Sequence, residues 1–188
     1  MATITGTQGN DVLNGGLEND LLIGLGGNDT LNGRPGADTM EVVTETATGG
    51  TNDLVFIDVA NYIINSGVIT ATYNAASAPN VEAVSALNQA GTERFDLTGN
   101  ATTRTLVGNN GINTITGSGT QAQTLIGLGG DDTYNISAAG QTVQESAGGG
   151  KDTVNVTFAA AAGSVPAFNT YNLAAGNEVE IINLLNAG

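Results

Sequence analysis

The chain has 188 residues with 18 acidic and 4 basic side chains, a formal net charge of −14, and no cysteine or histidine. Without imidazole or thiolate groups it has no Ser-His-Asp or Cys-His catalytic system, no disulfide, and no conventional zinc or copper site. Its charge opposes binding to nucleic acid and to anionic membranes, whereas carboxylates in excess of basic partners are suited to Ca²⁺.

The first residues carry no basic segment, apolar core or small-residue cleavage site, so no Sec signal peptide is expected. The longest apolar run, around residues 158–162, is much shorter than the roughly 20 residues of a membrane span. We therefore expect no membrane insertion.

A nine-residue period runs through residues 6–41, in the units GTQGNDVLN, GGLENDLLI, GLGGNDTLN and GRPGADTME. Each unit keeps a Gly, a large apolar residue and an Asp in phase, and the phased acids are Asp11, Asp20, Asp29 and Asp38. Nine fits neither a helix nor an uninterrupted strand, but it fits a short strand joined to a tight turn in which Gly adopts positive φ. Because each unit buries about one large apolar residue, successive coils must stack to form a core.

Two units make one coil, so Asp11 is predicted to stack on Asp29, and Asp20 on Asp38, about 4.8 Å apart. Two carboxylates at about 5 Å repel each other by roughly 3 kcal/mol at an effective dielectric of 20. A Ca²⁺ between the turns reverses the sign of this interaction, and turn carbonyls complete a shell of about 6–8 oxygens. The array is therefore expected to bind Ca²⁺ as part of its fold.

These units resemble the glycine-rich nonapeptide repeats (G-G-x-G-x-D-x-U-x) of RTX, or haemolysin-type, calcium-binding proteins. The resemblance implies an all-β, right-handed parallel β-roll or β-solenoid with Ca²⁺ in its turns, and a non-enzymatic role. It implies the side-chain ligands Asp11, Asp20, Asp29 and Asp38. It also implies turn glycines that permit the turn or donate carbonyls to the metal, at Gly6, Gly9, Gly15, Gly24, Gly27, Gly33 and Gly36.

A second array at residues 99–135 keeps the apolar phase but loses most of its acids. The apolar positions are Leu106, Ile115, Leu125 and Tyr134, and the acid positions read Arg104, Asn113, Gln123 and Asp132. Stacking places Arg104 over Gln123 and Asn113 over Asp132, which removes most of the charge repulsion. We expect this array to continue the roll with amide and threonine ladders and with few or no Ca²⁺ ions.

A larger plan repeats at an offset of about one hundred residues, because 45–55 corresponds to 145–154 and 80–84 resembles 177–182. The sequence therefore predicts two tandem related halves, 1–98 and 99–188, the first with the calcium-binding roll at 6–41. Additional strands, including antiparallel ones, are expected to cover the roll from 57–78 and 157–176. Further candidate calcium ligands are Asp53, Asp132 and Asp152.

Six acids lie outside the repeat phase and are expected on a solvated face: Asp58, Glu82, Glu93, Asp96, Glu178 and Glu180. A hydrolase site built from paired carboxylates is disfavoured, because nothing predicts a cleft and only 4% of the residues are aromatic.

The resemblance implies a calcium-binding structural module of a secreted or cell-surface bacterial protein, exported by a type I system and folding on Ca²⁺ outside the cell. One alternative is a calcium-driven self-assembling fibre, S-layer or adhesin module, because the ends of a roll expose unpaired backbone groups. A second is a non-catalytic module of a secreted enzyme that binds an extracellular polysaccharide. Interrupted rows of outward Thr and Asn leave ice binding as a third.

Overall fold

The computed structural model describes residues 2–16, 20–33, 42–44, 50–57, 70–74, 80–157 and 178–185, with the backbone alone for 33, 42–44 and 70–74. The regular elements within these residues are all β-strands. The described residues contain no helix that is long and apolar enough to cross a membrane. The strands are β1 (Thr3–Thr5), β2 (Val12–Asn14), β3 (Leu21–Ile23), β4 (Thr30–Gly33), β5 (Val42–Thr44), β6 (Leu54–Ile57), β7 (Thr70–Asn74), β8 (Ala83–Ala86), β9 (Arg94–Thr98), β10 (Thr105–Val107), β11 (Asn113–Thr116), β12 (Gln123–Ile126), β13 (Thr133–Ile136), β14 (Gln141–Gln144), β15 (Thr153–Val156) and β16 (Ile181–Leu184).

The strands form three sheets. Sheet B is one face of the stacked coil, and sheets A and C together make up the other face. Sheet A has the order β1-β3-β5, sheet B the order β14-β12-β10-β8-β6-β4-β2, and sheet C the order β16-β15-β13-β11-β9-β7. From β1 to β15 the chain alternates between sheet B and either sheet A, early in the sequence, or sheet C, later. The protein is thus a β-solenoid of about six turns, as the all-β prediction required.

Strand pairing among the described residues is parallel throughout. The antiparallel strands expected beyond the repeats are not found in this part of the chain. Strand β7, within the segment 57–78 that was expected to cover the roll, pairs with β9 and belongs to the solenoid wall. The segment 158–177 lies outside the described residues.

The coil register follows the nine-residue period at the N-terminus and departs from it later. Leu13 pairs with Leu31, 18 residues on, which confirms that two units make one coil. The next partners of Leu31 in sheet B are Val55 and then Val84, so these coils are longer and carry insertions. The later coils shorten again, because Leu106 pairs with Leu125. The parallel ladder of sheet B keeps its register although successive partners are separated by different lengths of chain.

The core is a stack of buried apolar residues, and a strand contributes one of them, as Leu13 in β2, or two, as Phe95 and Leu97 in β9. In sheet B this column has at most 8% exposure and consists of Leu13, Leu31, Val55, Val84, Leu106, Leu125 and Val143. The phased apolar positions of both arrays are buried as predicted, except that Met40 lies outside the described residues. Each such side chain contributes roughly 1.5–3 kcal/mol by leaving water, and only in the stacked state.

Outward-facing amides form ladders on the surface of both faces. Asn32 donates to Asn14 at 2.7 Å, and Asn183 donates to Asn155, which donates to Asn135. These bonds join equivalent positions of successive coils, so they support the register that the core column sets.

Candidate metal centre

The turns that precede the strands carry the candidate ligands, and their backbone needs glycine. In the turn 24–29, Leu25 has φ of 82° and Gly27 has φ of 102°. The turn 127–132 repeats this geometry, with Leu128 at 82° and Gly130 at 98°. A Cβ on Gly27 would lie 2.6 Å from the carbonyl carbon of Gly9, because the turns stack in close contact. The two arrays therefore share one turn conformation although they differ in acid content.

Ladder 1 is a column of four acids, Asp11, Asp29, Asp53 and Glu82, at the starts of strands β2, β4, β6 and β8 in sheet B. The Asp11 N–H donates to Oδ1 of Asp29, and the Asp29 N–H donates to Oδ1 of Asp53, both at 2.8 Å. The Asp53 N–H donates to Oε2 of Glu82 at 2.9 Å. Each accepting carboxylate thus binds a backbone N–H of the previous coil, as a main-chain carbonyl does within a strand ladder. This confirms the predicted stacking of Asp11 on Asp29.

Burial leaves part of ladder 1 without compensation. Asp29 is 1% exposed and Asp53 is fully buried, and Oδ2 of each has no hydrogen-bond partner among the described residues. Desolvation raises the pKa of Asp53, and the negative charges of Glu82 and Asp29 raise it further. Removing charged oxygens from water without a partner is costly, so the donor set calls for a hard cation.

The glycines of the first array let the acids approach the neighbouring turn. A Cβ on Gly6 would lie 2.6 Å from the Gly24 carbonyl oxygen and 2.8 Å from Oδ2 of Asp11. The Gly6 N–H donates to Ile23, and the Gly15 N–H donates to Asn32. Of the other predicted turn glycines, Gly33 is the last residue of β4, and Gly36 lies outside the described residues together with Asp38.

Asp20 stands apart from ladder 1, at the start of β3 in sheet A. Its carboxylate accepts hydrogen bonds from Gly16 and Ala2, both at 2.7 Å, and these bonds lower its pKa. The predicted stacking of Asp20 on Asp38 stays a prediction, because Asp38 is not among the described residues.

Ladder 2 is the corresponding column in sheet C, formed by Asn113, Asp132, Asp152 and Glu180. The Asn113 N–H donates to Oδ1 of Asp132 at 2.7 Å, which confirms the predicted stacking, and the Asp132 N–H donates to Oδ1 of Asp152 at 2.9 Å. The Asp152 N–H donates to Oε2 of Glu180 at 2.6 Å. The two ladders end alike in Asp then Glu, about one hundred residues apart, but they lie on different faces of the solenoid.

Three buried carboxylates lie close together at ladder 2, and we call them the triad. They belong to the ladder residues Asp132 and Asp152 and to Glu145. One oxygen from each lies within 4.8 Å of the other two. Desolvation raises the pKa of Asp132 and of Glu145 to about 7 each, and raises that of Asp152. The Tyr134 hydroxyl donates to Oε1 of Glu145, and burial raises the tyrosine pKa.

Elsewhere in the second array, side-chain amides take the place of acids. The Asn113 amide nitrogen donates to the carbonyls of Asn109 and Gly111 and to Oδ1 of Asp132. In sheet B the Gln123 amide donates to two carbonyls at 2.8 Å, and Gln141 donates to Gln123 at 3.1 Å. An NH₂ group that binds turn carbonyls supplies the positive pole that a cation would supply, without a metal. The predicted amide ladders are thus confirmed.

The structure corrects one expectation and adds site residues that the period does not mark. Glu82 was expected on a solvated face, but it is 8% exposed and closes ladder 1, because the pairing of β8 with β6 places it next to Asp53. Glu180 is exposed, yet it holds the same place in ladder 2. Glu145 and Tyr134 complete the triad and its surroundings. The signals that point to these glutamates are the repeated Val-Glu pair of 81–82 and 179–180 and the matching Glu of 45 and 145.

Residues 5–40 match the family model of the RTX calcium-binding nonapeptide repeat, in four copies. No curated protein and no solved structure matches the chain. Repeats of this kind bind Ca²⁺, and the unpartnered carboxylate oxygens of ladder 1 fit that ion. The chain thus carries a calcium-binding repeat array at residues 5–40 within a β-solenoid fold.

Proposed function

RTX calcium-binding nonapeptide repeats occupy residues 5–40, and on that premise we propose that the chain is a structural module of a secreted or cell-surface bacterial protein that folds on Ca²⁺ after export. The module has no catalytic role in this proposal. It serves to keep the chain unfolded and exportable where free Ca²⁺ is low, and folded where external Ca²⁺ is high.

The observation that carries the proposal is the pair of buried, unpartnered Oδ2 atoms of Asp29 and Asp53. Both residues also join successive coils, because the Oδ1 atom of each accepts a hydrogen bond from the backbone N–H of the acid in the previous coil. Bound Ca²⁺ would supply the positive charge that these oxygens lack. The same residues thus link the stacking of coils to the binding of metal.

Metal binding is coupled to folding because Asp29 and Asp53 both join the coils and offer oxygens to the metal. A cation that binds only the folded chain stabilises it by about 2.7 kcal/mol per site at 100 times its Kd. Without it, adjacent acids such as Asp29 and Asp53 repel in a site of low dielectric. A core of only one or two apolar residues per strand gives each coil little other stabilisation to offset this repulsion.

Circular dichroism of the whole chain tests the proposal. In EGTA we expect a smaller far-UV β-sheet signal and a lower melting temperature, and with millimolar Ca²⁺ the recovery of both. Mg²⁺ at the same ionic strength controls for charge screening. A far-UV spectrum and melting temperature that EGTA leaves unchanged would show that folding does not depend on Ca²⁺.

A second candidate function is calcium-dependent self-assembly, favoured by the apolar surface of β16. Ile182, Leu184 and Leu185 are 44%, 56% and 47% exposed at the last strand of sheet C within the described residues. Such an edge can pair with another copy. Light scattering against Ca²⁺ tests this: growth of mass that Leu184→Lys abolishes supports assembly, and a constant monomer mass excludes it.

A further inference from the structure

The triad lies in the half of the chain that the repeat family does not match, since that match ends at residue 40. We propose that Asp132, Glu145 and Asp152 form a separate buried binding site for one cation of the size of Ca²⁺. The proposal does not rest on the proposed function, because none of the three residues lies in the matched array.

The separation of the three carboxylates suits a single ion. One oxygen from each residue lies within 4.8 Å of the others. Calcium binds oxygen at about 2.3–2.6 Å, so two ligands on opposite sides of it are about 4.6–5.2 Å apart. The separations of the three oxygens are therefore within the range that the ligands of one such ion span.

Two of the acids also have a buried, unsatisfied oxygen, and that of Asp132 lies beside the Tyr134 hydroxyl that contacts Glu145. Oδ1 of Asp132 accepts from Asn113, and Oδ1 of Asp152 accepts from the Asp132 N–H. Oδ2 of each is buried and has no hydrogen-bond partner in the described part of the chain. Asp132 is 1% exposed and Asp152 is fully buried, so neither oxygen is hydrated at the surface. An unpaired buried acceptor destabilises the folded state, and a bound cation would give each of these oxygens a partner.

Tyr134 positions the third acid. It occupies the apolar position of its repeat, where the first array has Leu31, and both side chains are fully buried. A leucine would therefore be sufficient to fill this core position, whereas the tyrosine hydroxyl adds a hydrogen bond to Oε1 of Glu145. The first residue of the turn 127–132 is Gly127, and a Cβ there would overlap both Oδ2 of Asp132 and the Tyr134 hydroxyl.

Asn113 limits the column to one ion. Its amide nitrogen donates at 2.7 Å to the Gly111 carbonyl and at 2.9 Å to Oδ1 of Asp132, filling the turn of the preceding coil. The next cation position along the column is therefore taken by an NH₂ group. The site lies between the turn 127–132 and the segment 145–152 only.

Terbium luminescence sensitised by Tyr134 reads out this site. Tb³⁺ is a hard cation that substitutes for Ca²⁺ and emits when a nearby tyrosine is excited, and the chain has four tyrosines and no tryptophan. With the whole chain we expect tyrosine-sensitised Tb³⁺ emission that excess Ca²⁺ suppresses. Tyr134→Phe should remove most of this emission, and the control Tyr73→Phe should leave it unchanged. Emission that Tyr134→Phe does not reduce would overturn the proposal.

Calcium stoichiometry by titration calorimetry gives a second, independent measure. Asp152→Asn and Glu145→Gln should each bind one Ca²⁺ fewer than the unmodified chain, and the presence of Asn113 in ladder 2 shows that the turn accepts an amide. Unchanged stoichiometry in both variants would refute the site. The double variant Asp11→Asn/Asp29→Asn should lose ions but keep the Tyr134-sensitised emission, which separates this proposal from the function of the first array.

Discussion

The side-chain amide of Asn113 donates to Oδ1 of Asp132 at 2.9 Å, and the Asn113 N–H donates to the same oxygen at 2.7 Å. The corresponding atom of ladder 1, Oδ1 of Asp29, accepts the Asp11 N–H at 2.8 Å, but there an acid precedes it. A neutral amide in one ladder thus stands where the other has a carboxylate. Four predictions follow from this difference and from the geometry around it.

Asn113→Asp should convert an amide-filled turn into a calcium-dependent one. Without metal we expect a loss of about 1–3 kcal/mol, because the donors to Asn109 and Gly111 vanish and a second charge faces Asp132. With Ca²⁺ the variant should gain a bound ion and recover stability. Melting curves with and without Ca²⁺ measure both effects. Asn110→Asp adds the same charge at an exposed site, and an equal response there would contradict the prediction.

Asp29→Asn should reduce the dependence on calcium. The substitution removes a buried charge from ladder 1, so the melting temperature in EGTA should not fall, while the increase produced by Ca²⁺ should shrink. At about 2.7 kcal/mol per saturated site and about 2–4 °C for each kcal/mol, the loss is roughly 5–11 °C. Asp131→Asn, which removes an exposed charge, is the matched control. A full calcium response in Asp29→Asn would exclude Asp29 as a ligand.

Gly127→Ala should be among the most damaging small substitutions in the second half. Its Cβ would overlap Oδ2 of Asp132 and the Tyr134 hydroxyl, whereas a Cβ on Gly140 has its nearest neighbour at 3.5 Å. We expect Gly127→Ala to lower the free energy of unfolding by about 1–3 kcal/mol or more, and Gly140→Ala to change it little. Chemical denaturation measures the difference. Equal stability of the two variants would show that the triad adjusts freely.

The metal-free chain should lose stability as the pH rises. Burial raises the pKa of Asp132 and Glu145 to about 7, above their ordinary values near 4. The folded state therefore holds more protons than the unfolded state between about pH 4 and 7, and its advantage is lost through that interval, at up to about 1.4 kcal/mol per pH unit per group. Above about pH 5 the lowered pKa of Asp20 adds no slope, because that group is then ionised in both states.

Melting temperatures in EDTA between pH 5 and 8 test this slope. The unmodified chain should melt at lower temperature as the pH rises, and Asp132→Asn/Glu145→Gln should flatten the curve. Added Ca²⁺ should remove the decline, since it binds the ionised form. A melting temperature that rises with pH in EDTA would contradict the assignment of buried, protonated carboxyl groups.

The nine-residue phase is sufficient to predict the coil, the stacked Leu13 and Leu31, and the acids Asp11 and Asp29. Each of these depends on local periodicity, because a turn of fixed length returns equivalent residues to equivalent places. The same reasoning reaches Arg104 over Gln123 and Asn113 over Asp132 in the second array, where the period persists although the acids do not.

The nine-residue period does not predict which acids outside the repeat arrays join the ladders. Glu82 joins Asp53 across 29 residues, and Glu180 joins Asp152 across 28, so no fixed spacing marks either pair. Loop-closure entropy changes slowly with length, and the strand ladder rather than the intervening chain sets where these residues return. The burial of Glu145 against Tyr134 likewise exists only when β13 and the segment after β14 are packed. Local pattern therefore specifies the coil and its first ladder, whereas long-range strand pairing decides which carboxylates converge and lose water.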